Sequence, residues 1–352
     1  MAHTTPATRM TQLERDPKDR PQYSKDQLQT YFERIRLPKY HLQSPVLKDA
    51  SLASTKEHGL PLLRALHLYH LGNIPFENLE LHYSAHKKIS LNMGDLYNKF
   101  AGRGLQYGRG GRCMENNGFF GTVLRSIGYD VRNCAGRVSR SWNPNAETRE
   151  KQGDTYDCWN HMLNLVKIEG QWWVVDVGMG SMGPSIIYPL QDGLEEIAIP
   201  PRIIRLQKRS IAETYSRNDD DSMTLWCYDV CHKPDEKERR WIPTYCFTET
   251  EFLPQDYEMM SWFTSTHPKS FFTYSVLCTR LILDEENQRI VGDITLFNDS
   301  VVKKIGGKKI ESKQLETEQE RIQTLKDIFG VNLTPEEMAG IPAERKLAWL
   351  TD

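Results

Sequence analysis

The nine residues from Arg109 to Asn117 constrain this chain more than any other stretch. They read Arg-Gly-Gly-Arg-Cys-Met-Glu-Asn-Asn, and the apolar residues that follow recur with helical spacing until Gly128. This pattern predicts a helix whose first turn holds Cys113. Because the free N–H groups at a helix start favour an anion, they favour the thiolate form of that cysteine. The stretch therefore indicates a nucleophile site, although a small cysteine packed beneath a loop would give the same residues.

A cysteine nucleophile needs a base and a group that orients the base. Residues 159–166 alternate as in a strand and include His161, and the apolar run 172–177 contains Asp176. The polar residues 169–171 between them predict a hairpin turn, which would place His161 opposite Asp176. Each residue alone has an ordinary explanation, as a structural histidine and a turn-forming aspartate. Together with Cys113 they predict a triad of nucleophile, general base and orienting acid.

Composition limits the class of protein. The chain has 352 residues, which suits about two or three domains. Its 45 basic and 47 acidic residues leave no basic excess for nucleic acid. Its seven cysteines are odd in number and scattered, which is typical of a reducing compartment and not of a disulfide framework. The run Cys227–His232 matches no metal or haem spacing.

Targeting signals are not evident in the sequence. The apolar runs are far shorter than the roughly 20 residues of a membrane helix. The polar residues 1–20 do not resemble a secretory signal, and their acidic residues do not suit a transit peptide. We therefore expect a cytoplasmic protein without nucleic-acid or membrane partners. The sequence leaves the oligomeric state open, and a monomer fits it.

Secondary-structure signals predict an α+β protein in which a helical region precedes a region of short strands. We predict a disordered leader at residues 1–21 and a helical bundle with the nucleophile at 22–128. An antiparallel β-barrel follows at 129–250, and an α/β segment with C-terminal helices at 251–352. Helices are expected at 24–38, 60–71, 91–100, 113–127 and 314–329, with Ser24 as the cap of the first and Ser90 as the cap of the third. In the last third, strands are expected at 272–283, 290–297 and 301–310, with a hairpin turn at Gly306-Gly307. A capping box at residues 334–337 predicts that a further helix begins after Thr334. The polar residues 139–158 predict a loop that borders the site. The glycines of 102–108 lack the Lys-Ser/Thr ending of a phosphate loop.

These motifs resemble the arylamine N-acetyltransferase family. The likeness rests on Arg109-Gly-Gly-x-Cys113-x-Glu115-x-Asn117, the His161 strand and Val175-Asp176-Val177-Gly178-x-Gly180, with supporting stretches at 31–38, 70–79 and 265–272. It implies a helical bundle, a β-barrel and an α/β lid around a Cys-His-Asp core like that of cysteine proteases. It also implies transfer of an acyl group from coenzyme A to arylamines, arylhydroxylamines or hydrazines, by a ping-pong mechanism through a thioester on Cys113.

The resemblance further implies a cofactor path. Gly178 and Gly180 would lie beside coenzyme A, and Ser270 and Phe272 would line the substrate and cofactor cleft. The family commonly has Ser-Pro where this chain has His267-Pro268. The expected co-substrate is acetyl-CoA or another short acyl-CoA, such as propionyl- or malonyl-CoA, with small aromatic amines as acceptors and no metal. The implied role is xenobiotic detoxification.

Three further residues of the motif have an implied supporting role. Arg109 and Glu115 would form an ion pair that shapes the active-site loop, and Asn117 would join it. On the residues alone, all three could instead be surface polar groups.

Two other functional classes fit the same residues. A cysteine hydrolase or a transglutaminase-like enzyme would use an identical triad, with an open cleft for peptides. A binding protein with an inert Cys113 would show no fast, selective alkylation of that thiol.

Overall fold

The helices that precede residue 128 follow from local sequence signals. The structure is a computed structural model that describes residues 20–102, 104–215 and 223–348. Its α-helices up to that point are α1 (Lys25–Arg34), α2 (Gly59–Asn73), α3 (Leu79–Tyr83), α4 (Met93–Tyr97), α5 (Gly104–Tyr107) and α6 (Cys113–Ile127). Ser24 caps α1 and exchanges hydrogen bonds with Gln27 in a capping box. The predicted leader, residues 1–21, lies almost wholly outside the described residues.

Helix α6 begins at Cys113, as the sequence predicts, and Gly128 caps its C-terminal end. Gly128 adopts the left-handed conformation with φ 114°, which glycine tolerates without strain. Phe119, Phe120 and Val123 pack in the core of the N-terminal part. Nearly the whole helix is buried, so the N-terminal end that carries Cys113 is firmly placed.

The helix predicted at 91–100 is shorter in the structure. Helix α4 spans Met93–Tyr97 and passes into a π-helical turn at Asn98–Gly102. Its cap is Asn92, whose Oδ1 accepts hydrogen bonds from the N–H groups of Gly94 and Asp95. The predicted cap, Ser90, binds the Asp95 side chain instead.

Short antiparallel strands form the first sheet. They are β2 (Asp130–Val138), β3 (His161–Ile168), β4 (Gln171–Val175), β5 (Tyr188–Pro189), β6 (Leu194–Ile197), β7 (Ile203–Arg209), β8 (Leu225–Cys231) and β9 (Ile242–Glu251). The order across the sheet is β5-β4-β3-β2-β9-β8-β7-β6. Within the described strands, β5 and β6 are edges, so the predicted antiparallel β-barrel is an antiparallel sheet that stays open. Pro189 in β5 has no N–H to offer to a further strand.

The second sheet joins distant parts of the chain. Its order is β1 (Phe76–Glu77), β10 (Leu277–Leu283), β11 (Ile290–Phe297), β12 (Ser300–Ile305) and β13 (Lys308–Gln314). Strand β1 comes from the helical region yet pairs with β10. Gly306 and Gly307, both at positive φ, form the predicted turn between β12 and β13. The predicted domain boundaries remain predictions.

Several predicted boundaries in the second half are corrected by the structure. Within 139–158, helix α7 (Ala146–Gln152) forms because Asn145 caps it. Helix α9 spans only Glu318–Asp327, since its cap is Thr317 and Gln314 still belongs to β13. The strand predicted from 272 begins at Leu277. Helix α10 (Pro335–Gly340) follows the cap Thr334 as predicted.

Helix α8 (Pro254–Thr266) was not predicted from the sequence. Met259 and Trp262 are 75% and 70% exposed, so its apolar residues do not lie on one face. Along the described parts of the chain, each helix is too short or too polar to cross a membrane.

Candidate functional site

Three side chains from three elements meet at one point. Cys113 opens α6, His161 opens β3, and Asp176 directly follows β4. The hairpin pairs Asn164 with Val175, and this register carries His161 towards Asp176. His161 Nε2 lies 2.8 Å from Asp176 Oδ2, which confirms the juxtaposition predicted from the sequence. Cys113 acts on the imidazole as well, because it helps to raise the pKa of His161, and its thiol donates to the Asn160 carbonyl oxygen at 3.6 Å.

The three side chains are shielded from water. His161 and Asp176 are each 1% exposed and Cys113 is 7% exposed. Burial acts to lower the pKa of His161, but the charge and hydrogen bond of Asp176, together with Cys113, outweigh it and raise that pKa to about 10. Burial acts to raise the pKa of Asp176, and His161, Asn117 and Gly178 lower it on balance. The site therefore favours an imidazolium and a carboxylate.

Asn117 fixes the orientation of Asp176. Its Nδ2 donates to Asp176 Oδ1 at 2.9 Å and to the Met162 carbonyl at 2.6 Å. Its Oδ1 accepts the N–H of Val177 at 3.0 Å. The N–H of Gly178 donates to Asp176 Oδ1 at 2.8 Å. Since Oδ1 already accepts two hydrogen bonds, Oδ2 is left to bind His161.

Two further side chains contact His161 or Asp176 and were not found from the sequence. His67 of α2 places Nε2 3.0 Å from the Asp176 carbonyl oxygen. The Tyr245 ring lies 4.9 Å from the His161 ring and covers it. A histidine among the apolar residues of a helix, or a tyrosine in a strand, is ordinary in sequence. No spacing signal would have selected either one.

The predicted ion pair between Arg109 and Glu115 is wrong. Arg109 Nε binds Glu77 at 3.0 Å and Nη2 binds Glu80 at 3.2 Å, and Nη1 binds Glu337 of α10. Arg109 does not reach Glu115 because it precedes the helix and its side chain points towards β1 and α3. The C-terminal segment that contains Glu337 thus packs behind the loop that leads into Cys113.

Glu115 instead forms its hydrogen bonds at the N-terminal end of α6. Its Oε2 accepts the Arg112 N–H at 2.9 Å, and its Oε1 binds Lys99 Nζ at 2.8 Å. This acidic residue in the first turn stabilises the helix start that holds Cys113.

Gly178 is required by close packing beside Cys113. A Cβ atom at this position would lie 2.6 Å from the Cα of Cys113 and 2.4 Å from Asn117 Nδ2. Any side chain here would push the loop after β4 away from Cys113. The sequence prediction placed Gly178 at the site, and its contact with Cys113 gives a direct reason for glycine.

A cavity of about 210 Å³ opens over Cys113 and His161, and its walls include Phe76, Trp142 and Phe297. Of the predicted cofactor residues, Gly178, Gly180 and Phe272 line it. Ser270 does not, because its Oγ donates to the Thr264 carbonyl at 2.6 Å. Trp142, Pro144 and Asp157 also line the cavity, so the segment 139–158 borders the site as predicted.

No group of three or more His, Cys, Asp or Glu side chains in the described ranges could hold a metal ion.

The stabilising effect of the His161–Asp176 pair is expected to fall as the pH rises from about 6.5 towards about 10. The pKa of His161 in the folded state, about 10, exceeds its ordinary value of 6.5. The folded state therefore holds the proton more tightly, and this contribution is complete below pH 6.5 and lost as the pH passes through 10. Urea unfolding of the wild type and of Asp176→Asn should give a difference in free energy of unfolding that shrinks over this range. A difference independent of pH would contradict the assignment.

Residues 59–338 match a family model described as N-acetyltransferase. The chain is 58% identical over 329 residues to an N-malonyltransferase FDB2 of Fusarium pseudograminearum (strain CS3096), which covers 93% of this chain and 95% of the relative. It is 54% identical over 350 residues to an N-malonyltransferase FDB2 of Gibberella moniliformis, covering 99% and 100% of the two chains. Among solved structures, the arylamine N-acetyltransferase of Mycobacterium marinum in complex with CoA aligns with a TM-score of 0.67 and 26% identity, over 91% of this chain and 98% of that one.

Proposed function

This chain belongs to the arylamine N-acetyltransferase family, and on that premise we propose that it transfers a malonyl group from malonyl-CoA to aromatic amines through a thioester on Cys113. That it is an N-acyltransferase follows from its family and its relatives. The choice of malonyl is supported by the two relatives named N-malonyltransferase, at 58% and 54% identity. The observation that carries the mechanism is the hydrogen bond of 2.8 Å between His161 and Asp176, beside a thiol at the base of a cavity.

In the first half-reaction Cys113 attacks the donor thioester as a thiolate, with the proton held on His161. The Cys113 sulfur forms a bond with the acyl carbon, and the bond from that carbon to the sulfur of coenzyme A breaks. The departing thiolate takes the proton from His161. Asp176 keeps the imidazole oriented while its charge changes.

In the second half-reaction the amine attacks the same carbonyl carbon. The bond to Cys113 breaks, the nitrogen gives its proton to His161, and the thiolate–imidazolium pair is restored. This order predicts ping-pong kinetics. A largely apolar cavity disfavours water as a competitor, since an apolar enclosure limits its entry.

The acceptor class is supported by the walls of the cavity. Phe76, Phe272 and Phe297 line it, and ring faces of this kind pack well against a planar aromatic amine. We place coenzyme A along the loop of Gly178 and Gly180. A cytoplasmic location and a role in removing toxic aromatic amines complete the proposal.

Malonyl-CoA is expected to acylate Cys113 faster than acetyl-CoA does. One equivalent of thiol should be released quickly without amine, and intact-protein mass spectrometry should show a single malonyl adduct. An arylamine should then discharge the adduct and restore turnover. Acetyl-CoA provides the matched donor, because it lacks only the terminal carboxylate.

Two results would contradict the proposal in different ways. Acylation of Cys113 by acetyl-CoA but not by malonyl-CoA would overturn the malonyl assignment. The protein would still be an acyltransferase. Sustained thiol release that ignores the amine would identify a thioesterase.

A further inference from the structure

A second, smaller cavity of about 100 Å³ adjoins the cavity over Cys113. The two cavities share Trp142, Ser181 and Met182 as a common wall. Arg202 and Lys304 line only the smaller one. A molecule that occupies the larger cavity can thus extend past the loop at 180–183 towards two cationic side chains.

Arg202 is a buried cation that lacks a bonded carboxylate. It is 8% exposed, and its Nη1 and Nη2 donate to the carbonyl oxygens of Ser181 and Gly183 at 2.9 and 3.3 Å. Among the residues that the structure describes, its Nε has no hydrogen-bond partner. Within the described parts of the chain, no carboxylate lies within 4.0 Å of its guanidinium nitrogens. Burial lowers the pKa of Arg202, which is the sign of a charge with too little compensation.

The groups around Arg202 leave the small cavity positive. Asp293 is the carboxylate that lines it, and burial raises the pKa of Asp293, although Lys304 and Arg202 act against this. Asp293 also accepts a hydrogen bond from Thr295 at 3.2 Å. One carboxylate therefore faces two cations. The pKa of His232, which also lines this cavity, is lowered by burial and then by the charges of Arg202 and Lys304. This direction agrees with a positive cavity.

We propose that Arg202 and Lys304 form a subsite that binds an anionic oxygen group of the acyl donor. This inference rests on the proposed function, which supplies an acyl-CoA donor. The shared ligand chemistry is a phosphate or carboxylate oxygen, for which arginine and lysine are the usual partners. An anion there would provide the counter-charge that buried Arg202 lacks, and exposed Lys304 would guide it in.

The donor offers two anionic groups, and the arrangement of the cavities favours the phosphates. Cys113 and His161 line the larger cavity and do not line the smaller one. A malonyl carboxylate is only a few bonds from the sulfur of the thioester. The phosphates are separated from that sulfur by the whole pantetheine arm. We therefore expect a phosphate at this subsite.

The test measures acylation of Cys113 as a function of donor concentration. The variants are Lys304→Gln, which changes an exposed residue, and Arg202→Gln, with Lys303→Gln as the control. Lys303 is the neighbouring residue of β12 and lines neither cavity, because alternate side chains of a strand point to opposite faces. The donors are malonyl-CoA, acetyl-CoA and malonyl-N-acetylcysteamine, which has no phosphate.

A phosphate subsite predicts that Lys304→Gln raises the half-saturating concentration of both CoA thioesters about tenfold and leaves malonyl-N-acetylcysteamine unchanged. A carboxylate subsite predicts the same increase for the two malonyl donors and none for acetyl-CoA. Either result supports the anion site. If the half-saturating concentrations of Lys304→Gln equalled those of Lys303→Gln for every donor, the anion site would be overturned. Equal increases for all three donors would also overturn it, since they would indicate a displaced loop.

The same experiment separates this inference from the proposed function. If the wild type accepts acetyl-CoA but not malonyl-CoA, the malonyl assignment fails, and the acetyl-CoA arm still tests the phosphate subsite. If Arg202→Gln does not fold, the result with Lys304→Gln decides.

Discussion

Replacing Cys113 by serine is expected to abolish acyl transfer, with a loss of about 10⁴-fold or more. The thiol lies at the start of α6 and is only 7% exposed, and it interacts with His161, whose pKa it helps to raise. A hydroxyl in the same place keeps the shape but remains protonated, since His161 is not a strong enough base to ionise an alcohol in advance of attack. Intact-protein mass spectrometry with acyl-CoA should show no stable adduct on the variant, and steady-state turnover should be undetectable.

Cys158 offers a matched control for that experiment. Of the cysteines, Cys158 is exposed and Cys113 is buried, so a reagent that attacked by access alone would prefer Cys158. We expect Cys158→Ser to retain most of its activity. Iodoacetamide near neutral pH should label Cys113 first, as peptide mapping would show, because His161 activates it. Near-normal turnover by Cys113→Ser would refute the thioester mechanism.

Asp176→Asn is expected to reduce the rate of acylation by about 10⁴-fold while the fold survives. Oδ1 of Asp176 accepts hydrogen bonds from Asn117 and Gly178. The amide oxygen of the variant should keep these bonds, which turns its NH₂ group towards His161 Nε2. The ring must then accept at Nε2 and carry its proton on Nδ1, the nitrogen that faces Cys113. A ring in that state cannot take the proton of the thiol.

Two comparisons test this explanation of the Asp176→Asn effect. Asp157→Asn changes a carboxylate that also lines the cavity and does not contact His161, so it should retain most activity. The double variant His161→Ala with Asp176→Asn should be little slower than His161→Ala alone, because members of one catalytic unit do not contribute additively. Additive losses would assign Asp176 a purely structural role.

The geometry of the triad could be predicted because it depends on short-range patterns. A helix start fixes Cys113, and a tight hairpin fixes the relation between His161 and Asp176. Local capping signals likewise placed α1, α6 and α10. Features of this kind need only neighbouring residues, so one sequence is enough to derive them.

The contacts around the triad could not be predicted, because they join residues far apart in the chain. Arg109 finds its partners at Glu77, Glu80 and Glu337, and not at nearby Glu115. His67 reaches the triad from α2. The openness of the large sheet depends on which strands become edges, and alternation of residues within a strand does not encode that choice.

The packing of the C-terminal segment behind the loop has a consequence for synthesis of the protein. The N–H of Asn332 donates to the Tyr107 carbonyl, and Glu337 binds Arg109, so residues translated late hold the stretch that presents Cys113. While a ribosome is still extending the chain, Cys113, His161 and Asp176 have already emerged, but Arg109 lacks one of its three carboxylate partners. The nascent chain therefore carries its reactive thiol at the start of α6, directly after a loop that is not yet fully anchored. Full activity should appear only after α10 has left the exit tunnel and docked.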